Sequence, residues 1–183
     1  HVHENQLLSP ARKIAYVVSV FPSLTMTFVD REIQEVRRRG VKVVVLAIQR
    51  PSAPEVNIGD NRKVDATRYI FSLPWFDCVR ANFRFALTKP RIYLSMLFYV
   101  VTGSNNNIPT QVKSVLHFVE GVLAAELLKR DRVTHIHAHF ADKATVVPMV
   151  AAKLLGVRYS VTAHAYDIYA NPVMLRKKLA DAA

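Results

Sequence analysis

Two periodicities of apolar residues alternate along the chain, one typical of buried strands and the other of helices. Residues 14–20 (IAYVVSV) and 41–48 (VKVVVLAI) are short, β-branched and almost uniformly apolar, as expected of strands covered on both faces of a parallel sheet. Between them, apolar residues at helical spacing predict a helix over 28–39 that stops at Gly40. Strand, helix and strand in this order predict a βαβ unit.

The carboxyl-terminal part repeats this alternation. Residues 134–140 (THIHAHF) and 159–163 (YSVTA) have strand character, and the apolar segment 144–155 between them predicts a helix closed by Gly156. A last helix is predicted to open at Pro172 and to run to the end of the chain. Repeated strands and helices predict an α/β fold, a doubly wound Rossmann-like and mostly parallel sheet.

The middle of the chain does not continue this alternation of strands and helices. Residues 50–65 are polar and contain Pro and Gly, which predicts a loop, and a short strand is expected within 67–72. Residues 75–102 combine aromatic and basic side chains and are divided at Pro90, which predicts a basic, aromatic helical hairpin inserted in the domain. After a turn, apolar residues over 112–128 predict one long helix that is mostly buried.

Composition is that of a compact globular protein, since 51% of the 183 residues are hydrophobic and 21% are charged. The single cysteine, Cys78, cannot form an internal disulfide, which agrees with a reducing compartment. No segment reaches the roughly 18 apolar residues of a membrane span, and the start lacks the layout of a signal peptide. We therefore expect a cytoplasmic protein, with the inner face of the membrane as a second location. Residues 1–12 are expected to be disordered or the end of an expressed fragment, and 13–183 to form one domain.

Charge points to an anionic partner. The chain has 25 Lys and Arg against 14 Asp and Glu, a formal net charge of +11, which suits nucleic acid, an anionic membrane surface or the phosphates of a substrate. No helix-turn-helix, zinc-finger or aromatic RNA-binding signature is present. Nucleic acid is therefore not the expected partner.

Candidate chemistry is expected at the carboxyl ends of the strands, where ligands bind in open α/β sheets. Neither GxGxxG nor GxxxxGK[ST] occurs, so a dinucleotide-binding fold and a P-loop are not supported. His135, His137 and His139 alternate and would share one face of a strand, which is a pattern that metal sites use. No Cys or carboxylate completes a ligand set nearby in the sequence, so no metal site is predicted; the alternative is one histidine in the sheet, one exposed and one at the ligand cleft. His164 follows a strand and can bond a sugar hydroxyl, against a purely structural capping role.

Three segments, read in order, resemble the amino-terminal domain of family 4 (group 1) glycosyltransferases of the GT-B fold, with the exopolysaccharide, colanic acid type as the nearest group. They are residues 15–49 (AYVVSVFPSLTMTFVDREIQEVRRRGVKVVVLAIQ), 135–157 (HIHAHFADKATVVPMVAAKLLGV) and 159–169 (YSVTAHAYDIY). The resemblance covers most of residues 13–182, although 51–133 match only in general layout. It implies an acceptor-binding α/β domain that faces a nucleotide-sugar-binding domain, with the anomeric configuration retained.

The resemblance also implies site residues. The family's loop FPxLSETF matches FPSLTMTF at 21–28, with Met26 where Glu is usual, and implies substrate-binding roles beside the donor phosphates. His164 matches the family histidine at the reaction centre, which implies a catalytic role. The implied substrate-binding residues are Phe21, Pro22, Thr25, Thr27, His139 at the mouth of the acceptor cleft, and the acidic Asp167. The resemblance implies no metal and no cofactor beyond the nucleotide sugar, which is a substrate.

The carboxyl-terminal signature of the family, two Glu separated by seven residues, does not occur in these 183 residues. We therefore expect half of a two-domain or split enzyme, truncated and inactive alone. Its partners would be a donor domain or partner chain, a saccharide or lipid-linked acceptor, and an anionic membrane surface. The alternative is a non-catalytic binding or scaffolding protein. The hairpin 75–102 is equally compatible with core packing and with docking onto anionic lipid, and an exposed apolar face would also favour homo-oligomers.

Overall fold

In the part of the chain that the structure describes, five strands form one sheet in which every strand pair is parallel. The computed structural model describes residues 13–23, 27–52, 61–103, 108–139 and 145–162. Its elements are β1 (Lys13–Val20), α1 (Thr27–Arg38), β2 (Lys42–Gln49), α2 (Asn61–Ala66), β3 (Arg68–Tyr69), a 3₁₀ turn (Ile70–Ser72), α3 (Trp75–Thr88), α4 (Pro90–Gly103), α5 (Ile108–Asp131), β4 (His135–His139), α6 (Val146–Leu155) and β5 (Arg158–Thr162).

Strand order in the sheet is β3-β2-β1-β4-β5. The chain therefore builds the sheet in one direction from β1 to β3 and in the other from β4 to β5, and β1 and β4 are neighbours at the reversal. Crevices that bind ligands in open parallel sheets lie at this reversal, beyond the carboxyl ends of the strands. The predicted doubly wound, Rossmann-like α/β fold is confirmed.

Side chains that alternate along the strands feed two separate cores. On one face, Ala15 and Val17 of β1 belong to the larger core, which is built mainly with α5 and α6. On the other face, Tyr16 and Val18 pack with Val29 of α1 in a smaller core. Helices therefore cover both faces, which is why β1 and β2 are apolar at almost every position.

The long helix and the hairpin were predicted close to their observed limits. Pro90 does divide the hairpin, since α3 ends at Thr88 and α4 begins at Pro90. Both helices pack on α5 through a narrow buried strip that includes Phe85 and Val100. The hairpin thus contributes to the larger core on one side only.

The predicted loop over 50–65 is wrong in its last part, because α2 occupies Asn61–Ala66. This helix has too few turns to show an apolar period. Val64 packs against the smaller core, and Lys63 Nζ donates to Asp30 Oδ2 of α1 at 2.8 Å. Tertiary contacts therefore favour helix where local composition favours a loop. The short strand expected within 67–72 is two residues of β3 followed by the 3₁₀ turn.

Several predictions fall outside the described residues, namely the character of 1–12, the turn after α4 and the helix at Pro172. Among the described helices, none combines the length and the apolar character that crossing a bilayer requires.

Candidate functional site

The three family-like segments meet at the reversal of the sheet. The first segment contains most of β1 and the whole of α1 and β2, the second contains β4, and the third contains most of β5. β4 lies between β1 and β5, with Tyr16 opposite His137 and His139 opposite Thr162. The ring of Phe28 contacts the ring of His139 edge to face, with centroids 5.7 Å apart. Phe28 and His139, which are more than a hundred residues apart in sequence, therefore share one surface.

β4 presents its three histidines to one face of the sheet, as their alternation predicted. His135 and His137 are half-buried and His139 is buried, so none of the three is the exposed member that the alternative arrangement required. Ser160 of β5 lies between two of them, because its Oγ is 2.8 Å from His135 Nε2 and 2.8 Å from His137 Nδ1. A hydroxyl can donate to one ring while it accepts from the other. Ser160 thereby orients both imidazoles.

Glu32 lies on α1, which covers the face of the sheet that carries the three histidines, and its side chain extends toward them. Its Oε2 lies 3.2 Å from His139 Nε2, and its Oε1 lies 3.7 Å from His137 Nε2. Tyr16 Oη donates a hydrogen bond of 2.7 Å to Glu32 Oε1. The Glu32 side chain is 40% exposed, whereas that of His139 is 1% exposed. One carboxylate therefore connects a buried tyrosine and two histidines to solvent.

Burial and neighbouring charge set the protonation of this cluster. Burial, followed by the nearby His139, lowers the pKa of His137 to about 4, although Glu32 acts in the opposite direction. His137 is therefore neutral near pH 7. Burial, followed by the hydrogen bond to Glu32, raises the pKa of Tyr16 well above its ordinary value, so its hydroxyl remains a donor. Burial, followed by Arg158, lowers the pKa of His135.

Aromatic contacts hold the rings in place. Tyr16 lies 5.0 Å from His137 and 6.1 Å from His139 between ring centroids, and the two imidazoles are 4.9 Å apart. Such close packing restricts ring rotation. Imidazole nitrogens, a carboxylate and a phenol in fixed positions can bond the hydroxyl groups of a ligand or coordinate a cation.

The predicted site residues are only partly brought together. His139 lies in the cluster. Phe21 is buried in the smaller core, where its carbonyl oxygen accepts a 2.8 Å hydrogen bond from Tyr69 Oη of β3. Pro22 is buried beside it, and Thr27 is exposed as the first residue of α1. Thr25, His164 and Asp167 lie outside the described residues.

Sequence reasoning missed Glu32, Tyr16 and Ser160. Glu32 is one of several charged residues on α1, and nothing local distinguishes it from a solvated surface glutamate. The available signal was indirect. The helix of a βαβ unit covers its own strand and the strand beside it. If β4 lies next to β1, α1 must therefore face β4. The strand order itself could not be read from the sequence.

Comparisons with protein-family models, with curated proteins and with solved structures find no match to this chain.

Proposed function

We propose that this chain is the amino-terminal, acceptor-binding half of a retaining glycosyltransferase, which transfers a sugar from a nucleotide sugar to a saccharide or lipid-linked acceptor. The observation that supports it is the meeting of the three family-like segments on one surface, where Phe28, His139 and Thr162 come from separate segments. If the three segments form the functional site, their motifs should match the resembled family, while the rest of the chain matches that family only in general layout.

Acceptor binding would use the mixed character of this surface. Phe28 is 40% exposed and offers an apolar ring on which the carbon face of a sugar can rest. Beside it, the partly exposed Glu32 carboxylate can accept hydrogen bonds from sugar hydroxyls. The donor would be held by a second domain, and the resemblance assigns the reaction centre to His164.

The test is reconstitution with a donor domain from a member of the resembled family. The full chain and the donor domain are mixed, their association is followed by light scattering, and nucleotide release from a nucleotide sugar is measured. We expect association, nucleotide release, and an at least tenfold slower release with His164→Ala at unchanged thermal stability. His117→Ala on the distant α5 is the control and should leave release unchanged.

Failure of the halves to associate, with the sugar nucleotide left intact, would overturn the proposed function. Equal losses of folding and activity in the His164 variant would overturn the catalytic assignment of that residue while leaving the domain assignment in place.

A specific observation favours a second candidate, docking on an anionic membrane surface. Large apolar side chains on the outer side of the hairpin and of the start of α5 are more than half exposed; they are Trp75, Phe76, Val79, Phe83, Leu87, Leu94, Phe98, Ile108, Val112 and Leu116. We call this set the apolar surface. An apolar groove of about 450 Å³ lies along it, between Val79, Phe83 and Tyr93. Monomeric domains rarely expose so many large apolar side chains without a partner.

Charge favours lipid as that partner. Arg80 and Arg84 directly follow Val79 and Phe83 on α3, and Arg91 is the second residue of α4; all three are exposed. Arg80 and Arg84 also form ion pairs, at 3.0 Å with Asp77 and at 2.8 Å with Glu126. Basic side chains that border exposed aromatic residues are typical of helices that lie in the headgroup region of anionic membranes. A lipid-linked acceptor would make this docking and the first proposal parts of one function.

Vesicle sedimentation tests the docking. The full chain should sediment with vesicles of phosphatidylglycerol and phosphatidylcholine, and much less with phosphatidylcholine alone. Phe83→Glu should reduce vesicle binding at least tenfold. Gln34→Glu makes the same change of charge at an exposed position of α1 and should have little effect on vesicle binding. Salt-insensitive binding to both vesicle types would contradict the role of charge. Concentration-dependent dimerisation abolished by Phe83→Glu, without vesicle binding, would assign the apolar surface to a second copy of the chain instead.

A further inference from the structure

We propose that Glu32, His137 and His139 form a binding site for a divalent transition-metal ion, with Zn²⁺ as the best-suited member of that class. One ligand atom from each of these side chains lies within 4.8 Å of those from the other two. The sequence did not predict this site because Glu32 lies more than a hundred residues before the histidines along the chain. The fold supplies one from α1.

Distances within the cluster agree with metal coordination. In a tetrahedral site with bonds of about 2.0–2.1 Å, neighbouring ligand atoms are roughly 3.3 Å apart. Glu32 Oε2 lies 3.2 Å from His139 Nε2, and Glu32 Oε1 lies 3.7 Å from His137 Nε2. The ligand atoms of the three side chains lie within 4.8 Å of one another, so an ion would have to draw them together by up to roughly 1.5 Å to reach the tetrahedral spacing.

Neighbouring side chains orient the ligands as outer partners do in known metal sites. His137 Nδ1 bonds Ser160 Oγ at 2.8 Å, which directs the opposite nitrogen, Nε2, toward Glu32. Tyr16 Oη holds Glu32 Oε1 at 2.7 Å. Thr162 Oγ1 lies 3.3 Å from His137 Nε2, and this longer contact must give way when a metal binds.

The ligand set indicates the class of ion. Two imidazoles and one carboxylate suit zinc, and the same set binds Fe(II) in other proteins, whereas Mg²⁺ and Ca²⁺ prefer oxygen ligands only. Three protein ligands leave at least one coordination position for water or a ligand, as in catalytic rather than structural zinc sites. This inference goes beyond the proposed glycosyl transfer and does not depend on it.

The chain offers a matched control. His117 Nδ1 on α5 lies 2.8 Å from Glu120 Oε2, so it is a partly buried histidine–carboxylate pair of the same kind. The metal-ligand cluster found among the described residues does not include it. If a single histidine–carboxylate pair were enough to bind zinc, Glu120→Gln would weaken binding as Glu32→Gln does.

The experiment is zinc titration of the full, metal-stripped chain by calorimetry. His1→Ala and His3→Ala are present in every protein, so that the two histidines at the start do not contribute. We expect one Zn²⁺ per chain, an affinity at least tenfold lower with Glu32→Gln or His137→Asn, and no change with Glu120→Gln. Co²⁺ should give the intense visible absorption of a four-coordinate site, which Glu32→Gln should abolish; Mg²⁺ should not compete.

Thermal melts give an independent measure and guard against misfolding. Zinc should raise the melting temperature of the parent and of Glu120→Gln, because an ion that binds only the folded state stabilises it, but not that of Glu32→Gln. The amide oxygen introduced by Glu32→Gln can still accept a hydrogen bond from Tyr16, so this variant should fold even if the His137 variant does not. Zinc affinity that is unchanged in folded Glu32→Gln, or no binding by the parent at millimolar zinc, would overturn the proposal.

Discussion

Replacement of Gly121 by alanine tests how closely α5 and α6 approach each other. Gly121 lies in the buried part of α5. A Cβ atom built there would lie 2.7 Å from Val150 Cβ and 3.0 Å from the carbonyl oxygen of Val147, both on α6. Neither atom is the free end of a flexible side chain. The helices would therefore have to separate.

Two effects of opposite sign decide the outcome. Alanine is favoured over glycine within a helix by about 1 kcal/mol, which alone would stabilise the variant. Overpacking costs about 1–3 kcal/mol, and ordinary contact would require α6 to move by roughly 0.7 Å, from 2.7 Å to 3.4 Å or more. α6 is held on the sheet by Met149 and Leu154, which are completely buried, so we expect the clash to prevail. The 2.7 Å approach favours the upper half of the overpacking range, about 2–3 kcal/mol, so the net loss should be about 1–2 kcal/mol.

Thermal melting followed by circular dichroism is the assay. A loss of this size lowers the melting temperature by about 2–8 °C in a protein of this length. Ser95→Ala on the exposed side of α4 is the control for helix propensity and should change stability by less than about 0.5 kcal/mol. A Gly121→Ala variant that melts at or above the temperature of the parent would refute the reasoning, because it would show that the two helices have room to spare.

Contacts elsewhere give three further expectations. Asp131 of α5 accepts a 3.2 Å hydrogen bond from Lys13 of β1 and pairs with Arg68 of β3; Asp131→Asn should lower the free energy of unfolding in urea by about 1–2 kcal/mol, and an unchanged midpoint would contradict this. Gly156 ends α6 at φ 72°, so Gly156→Ala should cost about 1 kcal/mol in a thermal melt; an equal melting temperature would show that the turn relaxes. Burial, followed by Glu120, raises the pKa of the Cys78 thiol above its ordinary range, so less reactive thiolate is present at a given pH. Alkylation by iodoacetamide should therefore reach half its maximal rate at a higher pH than alkylation of a free cysteine peptide under the same conditions, and an equal or lower midpoint would disprove the shift.

Local pattern determined the elements of the core. Uniformly apolar β-branched runs belong to strands covered on both sides, and the limits predicted for β1 and β2 agree with those observed to within one residue. Pro90 divided the hairpin because proline cannot continue a helix from the preceding turn. The alternation of His135, His137 and His139 also correctly placed them on one face, since the period of a strand is two residues.

Contacts between distant residues decided the rest. α2 forms where composition favoured a loop, because Val64 and Lys63 find partners on the smaller core and on α1. The sequence did not decide whether Trp75 and Phe83 are buried or exposed, because a helix with apolar residues on several sides does not reveal which side its neighbours cover.

The candidate site illustrates the same division. Sequence alone determined that three histidines lie on one face of a strand in the carboxyl-terminal part of the chain. Only the strand order, with β4 beside β1, places Glu32 and Tyr16 next to them. Secondary structure depends on neighbours a few residues apart, whereas a site depends on which strands pair, and that choice is made by the packing of the whole chain.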